Sequence, residues 1–199
     1  MKESEPPQRQ SEKQPPIQLI SLMSGLFWVF LGFIIIYFFQ EKPIWQPLVE
    51  GLEIWIQLLT GSLFGILFAF LAIRLLHNEQ MKSVIESYGI IQQVRELKLT
   101  PVQMISLSVV AGISEEFLFR AAIQPLLGVW VTSAIFIGIH GYIRFSTFPK
   151  FLYTLFTFLL SCALGYLYIA FGIYSAMLAH AVYDMIVLWK ITDIFKEQS

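Results

Sequence analysis

Six ionisable side chains stand inside apolar runs of this 199-residue chain: Glu115, Glu116 and Arg120 in "EEFLFR", His140 in "FIGIH", and His180 and Asp184 in "HAVYD". Charges at membrane depth are expensive, so such residues face a bundle interior or a cavity and mark a functional site by default. A carboxylate beside an imidazole is the pairing that takes a proton from water in general acid–base catalysis. The same residue types also suit zinc, which at a catalytic centre takes three protein ligands and a water. A polar network that merely glues helices together would use these groups for packing alone.

Helical spacing sorts them. Glu116 and Arg120 are four apart with the acid first, the favoured order for a pair on one helix face. Arg120 therefore neutralises and fixes Glu116. Glu115 lies about 100° round the same helix and is the carboxylate left free for chemistry. His180 and Asp184 are also four apart, so Asp184 either orients His180 or joins it as a metal ligand. Phe136, one turn before His140, is placed to stack on that imidazole.

The elements that must position these residues are membrane spans. The chain is 56% hydrophobic and 14% charged, where a soluble domain has about a quarter of its residues charged. A net charge of −1 gives no basic field for nucleic acid, and one cysteine, Cys162, excludes an intramolecular disulfide framework or a Cys-rich zinc site. The expected fold is an all-α, polytopic transmembrane bundle of about six spans. These run Ile17–Phe39, Ile54–Leu76, Met104–Gln124, Val129–Phe148, Phe151–Phe171 and Gly172–Trp189. Pro125 and Gly128 mark the turn between the third and fourth spans.

Residues 1–16 read as a disordered polar tail, and His77 to Leu99 as an amphipathic interfacial segment before the third span. Residues 17–100 thus hold two spans and that segment, 101–190 the catalytic core, and 191–199 a C-terminal tail. Lys and Arg concentrate in the segments that share a side with the N-terminus, which predicts both termini in the cytoplasm; the cell membrane is the expected location. At about 1.5 Å per residue, Glu115, His140 and His180 then lie roughly 14, 17 and 12 Å down their spans. That is one layer near mid-membrane.

The three motifs, Glu-Glu-x-x-x-Arg, Phe-x-x-x-His and His-x-x-x-Asp in this order, resemble the CPBP family of intramembrane proteases. That family groups type II CAAX prenyl endopeptidases with bacteriocin-processing and self-immunity proteins. The resemblance covers roughly Pro101 to Leu188. It implies that Glu115 and His140 activate a water against a peptide bond, that His180 and Asp184 stabilise the oxyanion, and that Glu116, Arg120 and Phe136 support them. Eukaryotic CAAX enzymes carry Asn where this chain has Asp184. An Asn amide can donate to an oxyanion, whereas Asp184 must be protonated or act through His180. A prenylated or otherwise hydrophobic peptide is the implied substrate, with membrane lipid as the other partner. No cofactor is required on this reading. The alternative is a zinc endopeptidase whose ligands would be Glu115, His140, His180 and Asp184. Rivals from other classes are a non-catalytic immunity or scaffold protein and a small-ion or proton carrier.

Other features read as structure. His77 is interfacial. Trp28, Trp45, Trp55, Trp130 and Trp189 suit an aromatic belt. Gly61 with Gly65, and Ser161 with Gly165, are small-residue pairs for close helix packing.

Overall fold

The computed structural model describes residues 17–88 and 99–196. The expected tail 1–16, the second half of the interfacial segment and the last three residues lie outside the described residues. The described elements are helical: α1 Ile17–Phe39, α2 Gln46–Val49, α3 Ile54–Leu76, α4 Glu79–Glu86 and α5 Pro101–Glu116. A π-helical turn, Phe117–Ile123, follows, then α6 Gln124–Ile139, α7 Phe148–Phe171 and α8 Ile173–Lys196. Among the described residues, four segments are long and apolar enough to cross a membrane: Ile17–Phe39, Ile54–Leu75, Pro101–Ile139 and Phe148–Phe171. The chain is an integral multi-pass membrane protein. The expected third and fourth spans fall together in the segment Pro101–Ile139. The expected sixth, α8, does not meet the same standard of apolar length; it carries His180, Asp184, Lys190 and Asp193.

Local sequence explains most of the boundaries. Thr100 and Gln103 form a capping box at the start of α5, with Pro101 in its first turn. Asn78 caps the amphipathic α4, which buries Met81, Val84 and Ile85. Thr147 accepts from the Lys150 amide to start α7. The first two spans begin and end where the apolar runs do.

The fourth span is the main departure. It was expected to run to Phe148, yet the helix stops at His140. Gly141 takes φ +70, its N–H donates to the Gly138 carbonyl and that of Tyr142 to the Ile137 carbonyl. This pair of bonds is a Schellman stop, which calls for a left-handed residue just past the helix and finds it in glycine. The segment 140–147 then runs non-helical. Thr154 of α7 ties it down, accepting from the Arg144 N–H at 3.0 Å and donating to the Tyr142 carbonyl at 2.6 Å. Irregular backbone in a membrane protein is tolerated where such partners exist. Gly128, at φ +76, makes the expected turn, but Pro125 lies inside the helix instead of marking its end.

Helix α8 is the axis of the bundle, packing against α3, α5 and α7, while α1 packs on α5 and the π turn. Small residues make this possible. A Cβ at Gly61 would stand 2.7 Å from the Ser175 carbonyl oxygen, and one at Gly65 the same distance from that of Ala179. On the other side of α8, a Cβ at Gly112 would meet the Met177 carbonyl oxygen at 2.7 Å. Without hydrophobic driving force between helices in lipid, close backbone approach of this kind is what holds them. It also presses α5 and α8 together one turn from Glu115 and Glu116. Trp28 departs from the belt expectation: it sits mid-way along α1 and packs on the core around Ile36 and Phe117.

Gly112→Ala is expected to destabilise the fold by about 1–3 kcal/mol through overpacking. Gly138→Ala, whose Cβ would meet nothing closer than 3.5 Å, should be neutral or stabilising by up to about 1 kcal/mol. Chemical unfolding in detergent micelles compares the two.

Candidate functional site

The site residues come from three helix positions that the fold brings to one place. Glu115 and Glu116 end α5 just before the π turn, His140 caps α6, and His180 and Asp184 lie one turn apart on α8. Arg120, inside the π turn, is fully buried. Its Nε donates to Glu116 Oε2 at 2.8 Å, Nη2 to Ser161 Oγ at 2.9 Å and Nη1 to Gln124 Oε1 at 3.5 Å. Gln124 in turn donates to the Gly165 carbonyl at 3.0 Å. Glu116 is also without exposure, and its second oxygen accepts from His180 Nδ1 at 2.8 Å. The expected Glu116–Arg120 pair is therefore present, and it extends to His180. A buried ion pair survives desolvation only when its remaining donors and acceptors are satisfied; here Ser161, Gln124 and His180 satisfy them.

His140 is held from three directions. Its Nδ1 donates to the Phe136 carbonyl at 2.7 Å. The Phe136 ring stacks on it with centroids 4.3 Å apart, as the spacing predicts. The Tyr142 ring lies near-parallel to it, 5.6 Å away and at 17°. Each imidazole thus has Nδ1 committed, and each turns Nε2 toward Glu115. His140 Nε2 stands 3.5 Å from Glu115 Oε2, and His180 Nε2 stands 3.9 Å from the same oxygen. Asp184 Oδ2 lies 3.4 Å from His180 Nε2, an ion-pair contact looser than the 2.8 Å bond on Nδ1. Glu115, His140 and Asp184 keep side-chain exposures of 17, 28 and 29%, against 8% for His180. The free carboxylate read from the spacing is the one that faces open space.

That space is a cavity of about 360 Å³. Its polar end holds Glu115, His140, His180 and Asp184; the rest is lined mainly by apolar side chains, among them Leu107, Phe156, Leu160, Val187 and Leu188. Helix α7 forms one wall, as expected of the fifth span, and Leu99 and Ile85 close the end toward α4. Tyr142, Tyr153 and Tyr183 also line it. Tyr88 packs on Tyr142 and Tyr153 and lies under the Arg144 guanidinium, 4.3 Å from its ring. Burial pushes the Tyr88 hydroxyl above its usual pKa, with Arg144 partly offsetting the shift. His77 is exposed, bonded to the Ile73 carbonyl, and outside the cavity.

Sequence reasoning passed over three contributors. Ser161 was read as a packing residue, and it is a partner of Arg120. Gln124 and Tyr142 carried only a weak signal: an amide inside an apolar run, and an aromatic just past a helix-stopping glycine. For the zinc alternative, no group of three or more His, Cys, Asp and Glu side chains among the described residues is arranged to hold a metal ion.

Residues 97–186 match the family described as type II CAAX prenyl endopeptidase Rce1-like. The resemblance read from the three motifs is borne out over that stretch. No curated protein and no solved structure matches the chain.

Removing the Arg120 charge leaves Glu116 buried without its main counter-ion. Arg120→Met is expected to lower stability by about 3–5 kcal/mol. Adding Glu116→Gln to that variant should recover part of the loss, as unfolding in detergent would show.

Proposed function

With residues 97–186 a domain of the Rce1-like family as premise, we propose that the chain is an intramembrane endopeptidase that hydrolyses a peptide bond with a water activated by Glu115 and His140. The observation that carries this reading is the convergence of both Nε2 atoms on Glu115 Oε2, at 3.5 and 3.9 Å, beside an apolar cavity. A water held there donates one proton to Glu115 and the other to the lone pair of His140 Nε2. As its oxygen bonds to the scissile carbonyl carbon, Glu115 takes a proton. That proton passes to the amine nitrogen when the carbon–nitrogen bond breaks, and the remaining hydroxyl proton goes to His140 Nε2, giving a new carboxylate and a free amine.

The oxyanion formed on the way needs a donor. In its imidazolium form His180 keeps Nδ1–H on Glu116 and presents Nε2–H to the site. Asp184, 3.4 Å from that nitrogen, compensates the charge without engaging the proton in a short bond. This gives Asp184 a role through His180 and removes the need for it to donate. Arg120 and Glu116 act behind His180, and Phe136 behind His140.

The substrate we propose is a membrane-associated, prenylated or otherwise hydrophobic peptide, because the cavity offers apolar walls to its side chains and polar groups only at one end. We further propose that both termini face the cytoplasm of a cell whose plasma membrane holds the protein.

Glu115→Gln keeps the shape and removes the base. It should lower cleavage of a quenched fluorescent peptide carrying an S-farnesyl cysteine by about 100-fold or more, with the unfolding curve unchanged. Undiminished cleavage would remove Glu115 from the mechanism. The wild-type rate should also persist in chelator, with no stoichiometric zinc by elemental analysis. Loss of activity on chelation, restored by zinc, would favour the metallopeptidase instead.

A further inference from the structure

The helix that carries Glu115, Glu116 and Arg120 continues past them through a proline. Pro125 brings no N–H, so the carbonyls of the preceding turn have one amide donor fewer than a regular helix supplies. The turn before it is also out of register. The Phe117 N–H bonds back to Ile113 and Ser114 in the ordinary way, whereas the Gln124 N–H reaches back five residues to Phe119. In hydrocarbon no water can supply the missing donor, and a neighbouring side chain has to.

One does. Gln40, just past the end of α1, donates Nε2 to the Ala121 carbonyl at 3.0 Å and to the Ala122 carbonyl at 2.8 Å. These carbonyls lie four and three residues before the proline and immediately follow Arg120. Gln40 is itself fixed, its own N–H bonded to the Ile36 carbonyl at 3.0 Å. Ile36 is fully buried in the core beside Phe117 and Leu118. The amide is thus set in place by α1 and reaches 81 residues along the chain to the π turn.

We propose that Gln40 is a positioning residue of the site: it supplies the donor that Pro125 withholds and holds the π register that sets Arg120 on Glu116. A π turn spends more residues per turn than an α turn, so the residues after it are rotated relative to a continuous α-helix, and such turns occur at functional sites. If it relaxed to the α register, everything after it would rotate. Arg120 would leave Ser161 of α7 or Glu116 of α5, and Glu116 would lose the counter-charge that lets it hold His180. Gln40 touches none of the reacting groups. Its effect travels through Ala121 and Ala122 to Arg120, Glu116 and His180. The catalytic part of this inference rests on the endopeptidase reading; the structural part does not.

The test is a double-mutant cycle on the full-length protein in lipid nanodiscs, using Gln40→Leu and Pro125→Ala. Gln40→Leu should speed amide hydrogen exchange across residues 117–124 about tenfold, the scale of one net hydrogen bond, while exchange in α3 stays unchanged. Pro125→Ala restores a backbone donor, so in that background Gln40→Leu should have little further effect. Equal effects of Gln40→Leu in both backgrounds would overturn the proposal. On the farnesylated peptide, Gln40→Leu should lower kcat several-fold at constant KM, and Gln40→Asn should fall between. A faster exchange with kcat intact would show a purely structural amide and overturn the positioning role. If the wild-type protein cleaves no peptide at all, the endopeptidase reading fails, while the exchange cycle still decides whether Gln40 holds the turn.

Discussion

Glu116 accepts from Arg120 on one oxygen and from His180 on the other, in a place without solvent. Much of the structure depends on that three-way bond. A carboxylate buried this deeply needs a cation, and Arg120 is the one at hand. The cation in turn needs acceptors for its other nitrogens, and Ser161 and Gln124 provide them. Those partners lie on α7 and on the continuation of α5, so the pair ties three elements together. Its outermost product is the orientation of His180, whose Nε2 is left to face Glu115. The arrangement resembles the outer shell of many catalytic sites, in which ring orientation is set by the bond on the other nitrogen.

His140 reaches the same place by a different device. A glycine at 141 stops α6 just past His140, and the helix end, not a side-chain pair, delivers the imidazole. The Schellman turn brings Tyr142 back over the ring. The Phe136 carbonyl, one turn back along the helix, takes its Nδ1 proton. The two histidines are therefore held alike, Nδ1 bound and Nε2 turned toward Glu115, through unrelated local structure. Both irregularities, the stop at His140 and the π turn before Pro125, occur next to the residues that the motifs singled out. Regular helices would have carried the same side chains past one another.

Much of this was legible in the sequence. The intervals 116–120, 136–140 and 180–184 each fix a shared helix face, and all three pairings recur in the structure. The first two apolar runs match α1 and α3 residue for residue because no proline or left-handed glycine interrupts them. The end of the fourth span was not legible from hydropathy. Tyr142, Ile143 and Phe145 continue the apolar composition although the backbone is no longer helical, and composition reports solvent preference, not register. The "HG" step at 140–141 did carry the signal, since glycine after the last helical residue is the usual stop. Gln40 and Ser161 had no local signature. Their roles come from residues 81 and 41 positions away, a relation that only the packed helices define.

In the proposed reaction a peptide carbonyl is attacked in the space between Glu115 and His140. A structure of the Glu115→Gln protein with an uncleaved prenylated peptide measures this most directly. The scissile carbonyl carbon should lie within about 3–4 Å of the water position between residues 115 and 140. Its oxygen should point at His180 Nε2, and the peptide's apolar side chains should lie along α7. A peptide seated elsewhere on the bundle, with the Glu115 pocket closed to it, would contradict the account.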